Sequence, residues 1–214
     1  MSVHESSTPA RRASAAAQVR PLARTRVPRD TVALARYLLG KVLVRELAGV
    51  RVLARIVETE AYLVGDPACH AYRGLTPRNR SLFLDVGHAY VYLCYGNSYL
   101  LNVAGERAGT GAGVLLRALE PICGLERLRA ARPRVAPRDL LRGPGRLTAA
   151  LDIDRRHDGI DLLQPGELWI GGDGRRRSEV GESVRIGLTR GADARLRFYL
   201  RGSAWLSGPR SLNA

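Results

Sequence analysis

Residues 42–62 read VLVRELAGVRVLARIVETEAY, and this stretch decides the fold. Its apolar and β-branched residues are typical of β-structure and predict two strands, 42–47 and 50–58, joined by a short turn at Ala48-Gly49. Similar patterns return later in the chain, at residues 89–95, 99–103, 113–119, 167–170, 183–186 and 196–200. Because strands dominate without a regular alternation with helices, we predict an α+β fold.

Three helices are predicted between these strands. The first begins at a cap formed by Asp30 or Thr31 and ends at Gly40, because glycine commonly terminates helices. The other two are predicted at residues 124–132 and 145–151.

The chain carries a large excess of positive charge. Its 214 residues include 34 lysines and arginines against 20 acidic residues, for a net charge of +14. Since the excess cations must lie on the surface, an anionic polymer or an acidic membrane is the natural partner. Only Lys41 is a lysine, so an arginine-rich composition is the alternative explanation of the charge.

The length of the chain is enough for one hydrophobic core, so a single domain at residues 28–210 is predicted. Residues 1–27 are rich in alanine, arginine, serine and proline without apolar periodicity, which predicts a disordered basic tail. No stretch approaches the roughly 20 apolar residues of a membrane span, and the first residues lack the apolar run of a signal peptide. We therefore expect an intracellular protein without a membrane partner.

The cysteines favour reduced thiols. Cys69, Cys94 and Cys123 are odd in number and lack paired metal-ligand spacing. This pattern argues against a disulfide framework or a zinc site.

Residues 58–70 concentrate groups that can carry acid/base chemistry. Glu58 and Glu60 share a face if the strand continues through them. The structural explanation is a solvated strand end in which one carboxylate has a partner. The functional explanation is that Glu60 deprotonates a water molecule as a general base. Tyr62 and His70 follow closely, and packing or hydrogen bonding is the favoured explanation for either of them when it is taken alone.

The aromatic residues near position 92 also have two explanations. Tyr90 and Tyr92 share one face of a strand, where cross-strand packing accounts for them. Tyr95 precedes Gly96 at a tight turn, so its ring can protrude as a wedge and replace a displaced base in a duplex. Packing is the alternative for this ring too.

Two groups of arginines can contact phosphates. Thr76, Arg78 and Arg80 offer a hydroxyl and two guanidiniums near a short helical turn, which suits a phosphate contact, with a solvated loop as the alternative. The arginine run at 175–177 is interpreted as an exposed turn rather than a site.

In their order and spacing, these segments resemble the methylpurine (alkyladenine) DNA glycosylase family. The resemblance covers residues 27–207, nearly all of the predicted domain. It is carried by Leu39-Gly40-Lys41, Val57-Glu58-Thr59-Glu60-Ala61-Tyr62, Thr76-Pro77-Arg78-Asn79-Arg80, Tyr90-Val91-Tyr92, Tyr95-Gly96, Asn102, Leu115-Leu116-Arg117-Ala118-Leu119-Glu120-Pro121, Gly143-Pro144 and Arg197-Phe198-Tyr199.

The resemblance implies a role for each matched residue of the reaction site. Glu60 would be the general base, and Arg117 would help to hold the attacking water. Tyr62 would stack on one face of a flipped base, with His70 and Tyr92 on the other face. The backbone of His70 would contact the base edge.

The resemblance also implies a fold and a reaction. The fold would be a single mixed domain around a curved, mostly antiparallel sheet, similar to an open barrel or roll. Tyr95 would fill the gap left by the flipped base, and Asn102 would exclude guanine by crowding its exocyclic amine. The reaction would hydrolyse the N-glycosidic bond of methylpurines, hypoxanthine or ethenoadenine in double-stranded DNA and leave an abasic site. A cytoplasmic, nucleoid-associated monomer without a metal or organic cofactor is expected.

Strand cleavage is not expected of this chain. Glycosylases that cut the backbone need an amine that forms a Schiff base with the sugar. The single lysine, Lys41, is remote from Glu60 in sequence, and the amino terminus belongs to the predicted tail. The sequence therefore predicts a monofunctional enzyme that uses water.

Two other classes of function remain open at this point. A non-catalytic nucleic-acid-binding module, akin to the carboxy-terminal domain of formyltransferases, would explain the charge and the strands, but it would not need Glu60, Arg117 and a wedge tyrosine together. A nuclease is disfavoured because the sequence offers no acidic metal-binding cluster.

Overall fold

The computed structural model describes residues 19–213, in which nine strands form one antiparallel sheet. The strands are β1 Arg20–Pro21, β2 Val42–Leu47, β3 Val50–Tyr62, β4 Ala89–Cys94, β5 Ser98–Ala104, β6 Gly113–Cys123, β7 Leu168–Gly172, β8 Val180–Ser183 and β9 Arg197–Leu200. The helices are α1 Thr31–Leu38, α2 Leu125–Ala131 and α3 Pro144–Ala150. Short 3-10 helices occur at Arg24–Arg26, Arg80–Phe83, Pro137–Asp139, Arg155–His157 and Arg210–Leu212.

The sheet follows the order β1-β7-β2-β3-β6-β5-β4, with β8 and β9 joined to it through β3. One edge of β3 pairs with β6, while the other edge pairs first with β2 and then with β9. The sheet therefore divides at β3 and curls into a half-barrel. The predicted α+β fold around a curved antiparallel sheet is confirmed.

Irregular pairing between β3 and β6 accompanies this division. The register shifts on both sides of Glu58, so that Val57 on β3 and Arg117 on β6 are skipped in the ladder. Such bulges bend a strand, increase its twist and change the direction of its side chains. They occur beside Glu58, in the segment of β3 that carries both buried carboxylates.

Helix α1 forms as its sequence predicts. Asp30 caps it, accepting a hydrogen bond from the backbone N–H of Ala33 at 2.7 Å, and Gly40 follows its end with a φ of 82°. Its buried face, including Leu34 and Leu38, packs on β3 in the main hydrophobic core. Helix α3 packs on β5 and β6.

Several strand boundaries differ from the prediction. β3 continues to Tyr62 rather than ending at residue 58, because β6 and β9 supply pairing partners that no local pattern reveals. β6 likewise extends to Cys123. The strand predicted at 183–186 lies instead at Val180–Ser183, where it pairs with β9.

The ordered body includes part of the predicted basic tail. Residues 1–18 lie outside the described residues. In the remainder of the predicted tail, β1 pairs with β7, Leu22 and Val27 are buried, and Arg24 Nη2 contacts Asp161 Oδ2 at 2.6 Å. The apolar side chains and the ion pair attach this segment to the sheet.

No helix within residues 19–213 is long and apolar enough to span a membrane. Cys69, Cys94 and Cys123 are free, as their sequence pattern predicts.

Candidate active site

A cavity of about 680 Å³ opens at the carboxyl-terminal end of β3. The end of β3, the β4–β5 hairpin, β6 and the loop after β8 supply its walls. It is lined by Tyr62, His70, Arg78, Tyr90, Tyr92, Tyr95, Asn102, Arg117 and Ile186, among others. The fold thus brings together the side chains that the sequence predicted to bind a base.

Glu60 lies one layer behind the wall of this cavity. Its fully buried carboxylate accepts hydrogen bonds from the hydroxyl of Tyr62 at 3.0 Å, from Arg117 Nη1 at 3.1 Å and from the backbone N–H of Ile186 at 2.7 Å. All three donors belong to residues that line the cavity. Glu60 itself does not line the cavity, so these three residues connect its carboxylate to the cavity wall.

Glu58 lies deeper in the same charge cluster and is also fully buried. Its Oε1 accepts from Arg197 Nε at 2.7 Å, Arg117 Nε at 3.0 Å and Ser207 Oγ at 2.7 Å, and its Oε2 accepts from the backbone N–H of Ser207. The alternative of a solvated strand end is therefore wrong for both carboxylates. β6 and β9 cover the two edges of β3 here and exclude water.

Arg117 connects the two carboxylates. It donates from Nε to Glu58 and from Nη1 to Glu60, while Nη2 donates to Ser207 Oγ at 3.2 Å. Its position at the register shift on β6 directs one guanidinium toward both acids. Planar guanidinium geometry suits this divided contact better than an ammonium would.

The pKa values of the two carboxylates depart from the ordinary glutamate value in opposite directions. At Glu60 burial raises the pKa, and Arg117 with the hydrogen bonds from Ile186 and Tyr62 does not compensate. At Glu58 burial acts in the same sense, but Arg197 and Arg117 outweigh it and hold the pKa below its usual value. Glu60 is thus the more basic carboxylate.

His70, Tyr90 and Tyr92 form one aromatic wall of the cavity. The ring centroids of His70 and Tyr92 are 4.4 Å apart, and Tyr90 and Tyr92 stack at 5.3 Å. His70 Nδ1 lies 2.9 Å from the hydroxyl of Tyr90. Burial and the nearby Arg78 lower the pKa of His70, so this wall presents uncharged rings at neutral pH.

Tyr62 stands between Glu60 and a second buried ion pair. The guanidinium carbon of Arg185 lies 4.7 Å from its ring centroid, and Arg185 pairs with Asp66. Burial and then the carboxylate of Glu60 raise the pKa of Tyr62, so its phenol keeps the proton that it donates to Glu60.

Two buried asparagines fix the backbone around the cavity. Asn102 Nδ2 donates to the carbonyl of Tyr90 at 3.2 Å, which sets the orientation of its amide. Asn79 Nδ2 donates to the carbonyls of His70 and Gly74, at 2.9 and 3.0 Å. The backbone of His70 is predicted to contact a base edge, and its carbonyl is already held by Asn79.

Tyr95 projects from the tip of the β4–β5 hairpin with 95% of its surface exposed. Its φ is 48° and that of Gly96 is 73°, and the turn closes with a 3.2 Å hydrogen bond from the N–H of Asn97 to the carbonyl of Cys94. A bulky residue at positive φ is an uncommon, strained arrangement. The alternative that Tyr95 is a packing residue is wrong for this structure.

Of the three predicted phosphate contacts, Arg78 lines the cavity. Arg78 is exposed, donates to the carbonyl of Leu93 at 3.3 Å and lies 6.0 Å from the ring centroid of Tyr92. The Thr76 hydroxyl accepts from the N–H of Asn79, so it has a structural role in the turn. Arg80 is exposed and has no hydrogen bond or ion pair within the described residues.

Sequence reasoning missed three residues of the site. Arg197 and Ser207 hold Glu58, and Tyr90 belongs to the aromatic wall rather than to packing alone. The expectation that one of the two acids has a structural partner fits Glu58, which pairs with Arg197. Within residues 19–213, no group of three or more His, Cys, Asp or Glu side chains is placed to hold a metal ion.

Comparison with known proteins identifies the family. The family model described as methylpurine-DNA glycosylase matches residues 25–204. A protein of Mesorhizobium japonicum named "Putative 3-methyladenine DNA glycosylase" is 59% identical over 90% of this chain and 92% of its own length. Proteins with the same name from Paraburkholderia phytofirmans (52% identical; 90% of each chain) and Koribacter versatilis (45%; 93% of this chain and 99% of that protein) are also similar.

The matched range includes β3, the β4–β5 hairpin and β6, which together carry Glu60, Tyr95 and Arg117. The coverage and identity leave no room for the alternatives of a non-catalytic module or a nuclease. The chain therefore belongs to the methylpurine-DNA glycosylase family, whose members are DNA-repair hydrolases that act on N-glycosyl bonds.

Proposed function

We propose that this chain flips damaged purines out of duplex DNA and hydrolyses their N-glycosidic bond, with Glu60 as the base and water as the nucleophile. The proposed substrates are methylpurines, hypoxanthine and ethenoadenine. The observation that carries the proposal is the position of a basic, buried carboxylate directly behind a cavity that has an uncharged aromatic wall and is large enough for a purine.

The cavity suits a flat, electron-poor ring. A flipped base would lie between Tyr62 on one side and the wall of His70 and Tyr92 on the other. Alkylated purines carry positive charge, which interacts favourably with tyrosine rings. They are also weakly paired and better leaving groups, so damage lowers both the cost of flipping and the barrier to hydrolysis.

Tyr95 is proposed to enter the duplex where the purine leaves. Its strained backbone and exposed ring support this role, since a wedge must project beyond the surface before DNA arrives. Arg78 and Arg80 would contact phosphates, and Thr76 would support them through its turn. Asn102, held by the Tyr90 carbonyl, would crowd the exocyclic amine of guanine.

In the proposed reaction the water oxygen forms a bond to C1′ while its proton passes to Glu60. The electron pair of the N-glycosidic bond leaves with the purine. Because Tyr62, Arg117 and Ile186 separate Glu60 from the cavity, the water would sit among them, with Arg117 helping to hold it. The raised pKa of Glu60 favours this proton transfer.

The distance of Lys41 from Glu60 supports a monofunctional reaction. Its backbone carbonyl accepts a hydrogen bond from the N–H of Ile56 at 2.8 Å, which places it four residues before Glu60 along β3. At about 3.3 Å per residue this is roughly 13 Å, too far for attack on the same sugar. We also propose that the chain acts as a monomer associated with the nucleoid. The basic residues of its amino-terminal segment would add phosphate contacts.

The test is an excision assay in EDTA on duplexes that carry each lesion. The expected result is release of the free base and an intact abasic strand that breaks only in alkali. Borohydride should trap no covalent adduct during turnover. Release from none of the lesions would contradict the proposal, and an adduct lost in Lys41→Ala would contradict the use of water.

A further inference from the structure

A second pocket, of about 410 Å³, is strongly cationic. We name it the Lys41 pocket; it is lined by Pro28, Ala33, Arg36, Tyr37, Leu39, Gly40, Lys41, Arg175 and Arg177. Four of these nine residues are cations and none is acidic. The pocket shares no residue with the cavity in front of Glu60, which we call the lesion cavity.

The Lys41 pocket is held in place by buried interactions. Arg55 donates to the carbonyl of Gly40 at 2.9 Å and to Asp173 Oδ2 at 2.8 Å, so it ties the loop after β7 to the start of β2. A Cβ added at Gly40 would lie 3.0 Å from the Cβ of Arg177. The arginine run at 175–177 is therefore packed against a fixed turn rather than extended freely into solvent.

Two of the four cations have no carboxylate partner within the described residues. Arg36 pairs with Glu182, and Arg175 lies 3.5 Å from Asp173. In contrast, Arg177 donates to the carbonyl of Arg36, and Lys41 lies over the ring of Tyr37 at 4.5 Å. This leaves two positive charges at one pocket, and Asp173, the acid that acts on Lys41, forms an ion pair with neither of them.

The environment of Lys41 favours an anion. Burial and the adjacent Arg177 lower its pKa, while Asp173 acts in the opposite direction. A bound anion would oppose both of the effects that lower the pKa. Since burial of an ammonium beside another cation is unfavourable, the pocket gains stability when a negative group enters it.

The cationic surface continues beyond this pocket. Arg175 and Arg177 also line a neighbouring groove of about 420 Å³, together with Arg55, Arg176 and Arg201. Glu120 is the one acid on that groove among its described lining residues. Arg55 and Arg201 have carboxylate partners, so the arginine row that joins the two pockets consists of residues 175–177. Several neighbouring guanidiniums match a polymer of phosphates better than a single small anion.

We propose that the Lys41 pocket and its arginine row bind the phosphate backbone of duplex DNA, at a site separate from the lesion cavity. The proposal rests on DNA as the substrate, but it does not depend on the proposed excision chemistry. Such a contact would hold undamaged DNA during the search for lesions.

The first test measures the affinity for a lesion-free duplex at several salt concentrations. Each lost phosphate contact reduces the slope of log K against log salt by about 0.9, so Lys41→Gln with Arg177→Gln should reduce it by nearly 2. The matched control, Arg127→Gln with Arg132→Gln on α2, removes the same charge elsewhere and should change the slope much less. Single-turnover excision at saturating enzyme should stay at the wild-type rate. A slope equal to that of the control pair would overturn the proposal.

The second test uses Lys41 as the only lysine in the chain. Acylation of its amine, followed by mass spectrometry of the intact chain and its peptides, should slow several-fold when lesion-free duplex is added. Arg177→Gln should weaken this protection. An unchanged rate, or protection by inorganic phosphate at matched ionic strength that equals protection by duplex, would overturn the assignment to DNA.

Discussion

Two similar carboxylates in the charge cluster have different surroundings. We call Glu58 and its partners the deep layer, and Glu60 and its partners the cavity-facing layer. Glu58 and Glu60 are two residues apart on β3 and both are fully buried. Glu58 is enclosed by Arg197, Arg117 and Ser207, whereas Glu60 shares only Arg117 and otherwise meets neutral donors. Burial alone therefore does not set the proton affinity of a carboxylate, because the number of facing cations decides the direction in which its pKa shifts.

This difference indicates that the deep layer stabilises the fold and that the cavity-facing layer takes part in the reaction. Arg197, fully buried, neutralises Glu58, so Arg117 can donate to Glu60 as well as to Glu58. The two guanidiniums, Arg197 and Arg117, then balance the charges of the two carboxylates. The cluster can therefore hold one carboxylate with a raised pKa. Each prediction below separates the two layers or tests a residue that depends on them.

Glu60→Gln should have the largest effect on activity. The amide keeps the shape but cannot accept a proton, so single-turnover excision should fall by about 10²–10⁴, the range attributed to general-base catalysis. Lesion DNA should still bind in a gel-shift assay. Excision at the wild-type rate would contradict the role of the cavity-facing layer.

Glu58→Gln should act mainly on stability. Removing one partner of a buried ion pair leaves Arg197 and Arg117 undercompensated, which costs about 3–5 kcal/mol of unfolding free energy. Urea denaturation measures it, with Glu60→Gln as the matched control. If both variants lose the same unfolding free energy, the two layers are not distinct.

Tyr95→Ala should reduce excision from duplex DNA by about 10–100-fold, since the wedge offsets a flipping cost of a few kcal/mol. Excision from single strands should change much less, because no stack needs to be held open. Leu93→Ala, on the same hairpin, is a control that leaves the exposed ring in place. Equal losses on the two substrates would show that Tyr95 acts by other means.

Asn102→Ser should produce a smaller change of opposite sign. Shortening the side chain removes the group that would crowd the guanine amine, so release of purines with that amine should rise by about fivefold, or roughly 1 kcal/mol. Release of hypoxanthine is the internal reference. No gain on guanine derivatives would place the discrimination elsewhere in the cavity.

The sequence predicts the parts of this fold that local chemistry determines. The cap at Asp30, Gly40 after the helix and the apolar runs of β2 and β4 need only neighbours in the chain. The continuation of β3 to Tyr62 could not be predicted, because it depends on β9, which is more than a hundred residues away. The pairing of Arg20–Pro21, within the predicted tail, depends likewise on the distant β7.

The candidate site shows the same limit. A single motif that contains both Glu58 and Glu60 indicates the reacting segment, and the turn at Tyr95-Gly96 indicates an exposed ring. Which carboxylate is basic depends on Arg197 and Ser207, whose contacts arise only after β9 and the following loop close over β3. No spacing rule in the sequence links these residues to Glu58.

The central claim is that Glu60, the less compensated carboxylate, is the group that takes the proton. The pH dependence of single-turnover excision tests it most directly. Because the pKa of Glu60 is raised, the wild-type rate should increase with pH through a midpoint above the ordinary glutamate value of about 4.3, and the residual activity of Glu60→Gln should lack this limb. A midpoint at or below the ordinary value, or a limb that persists in Glu60→Gln, would contradict the claim.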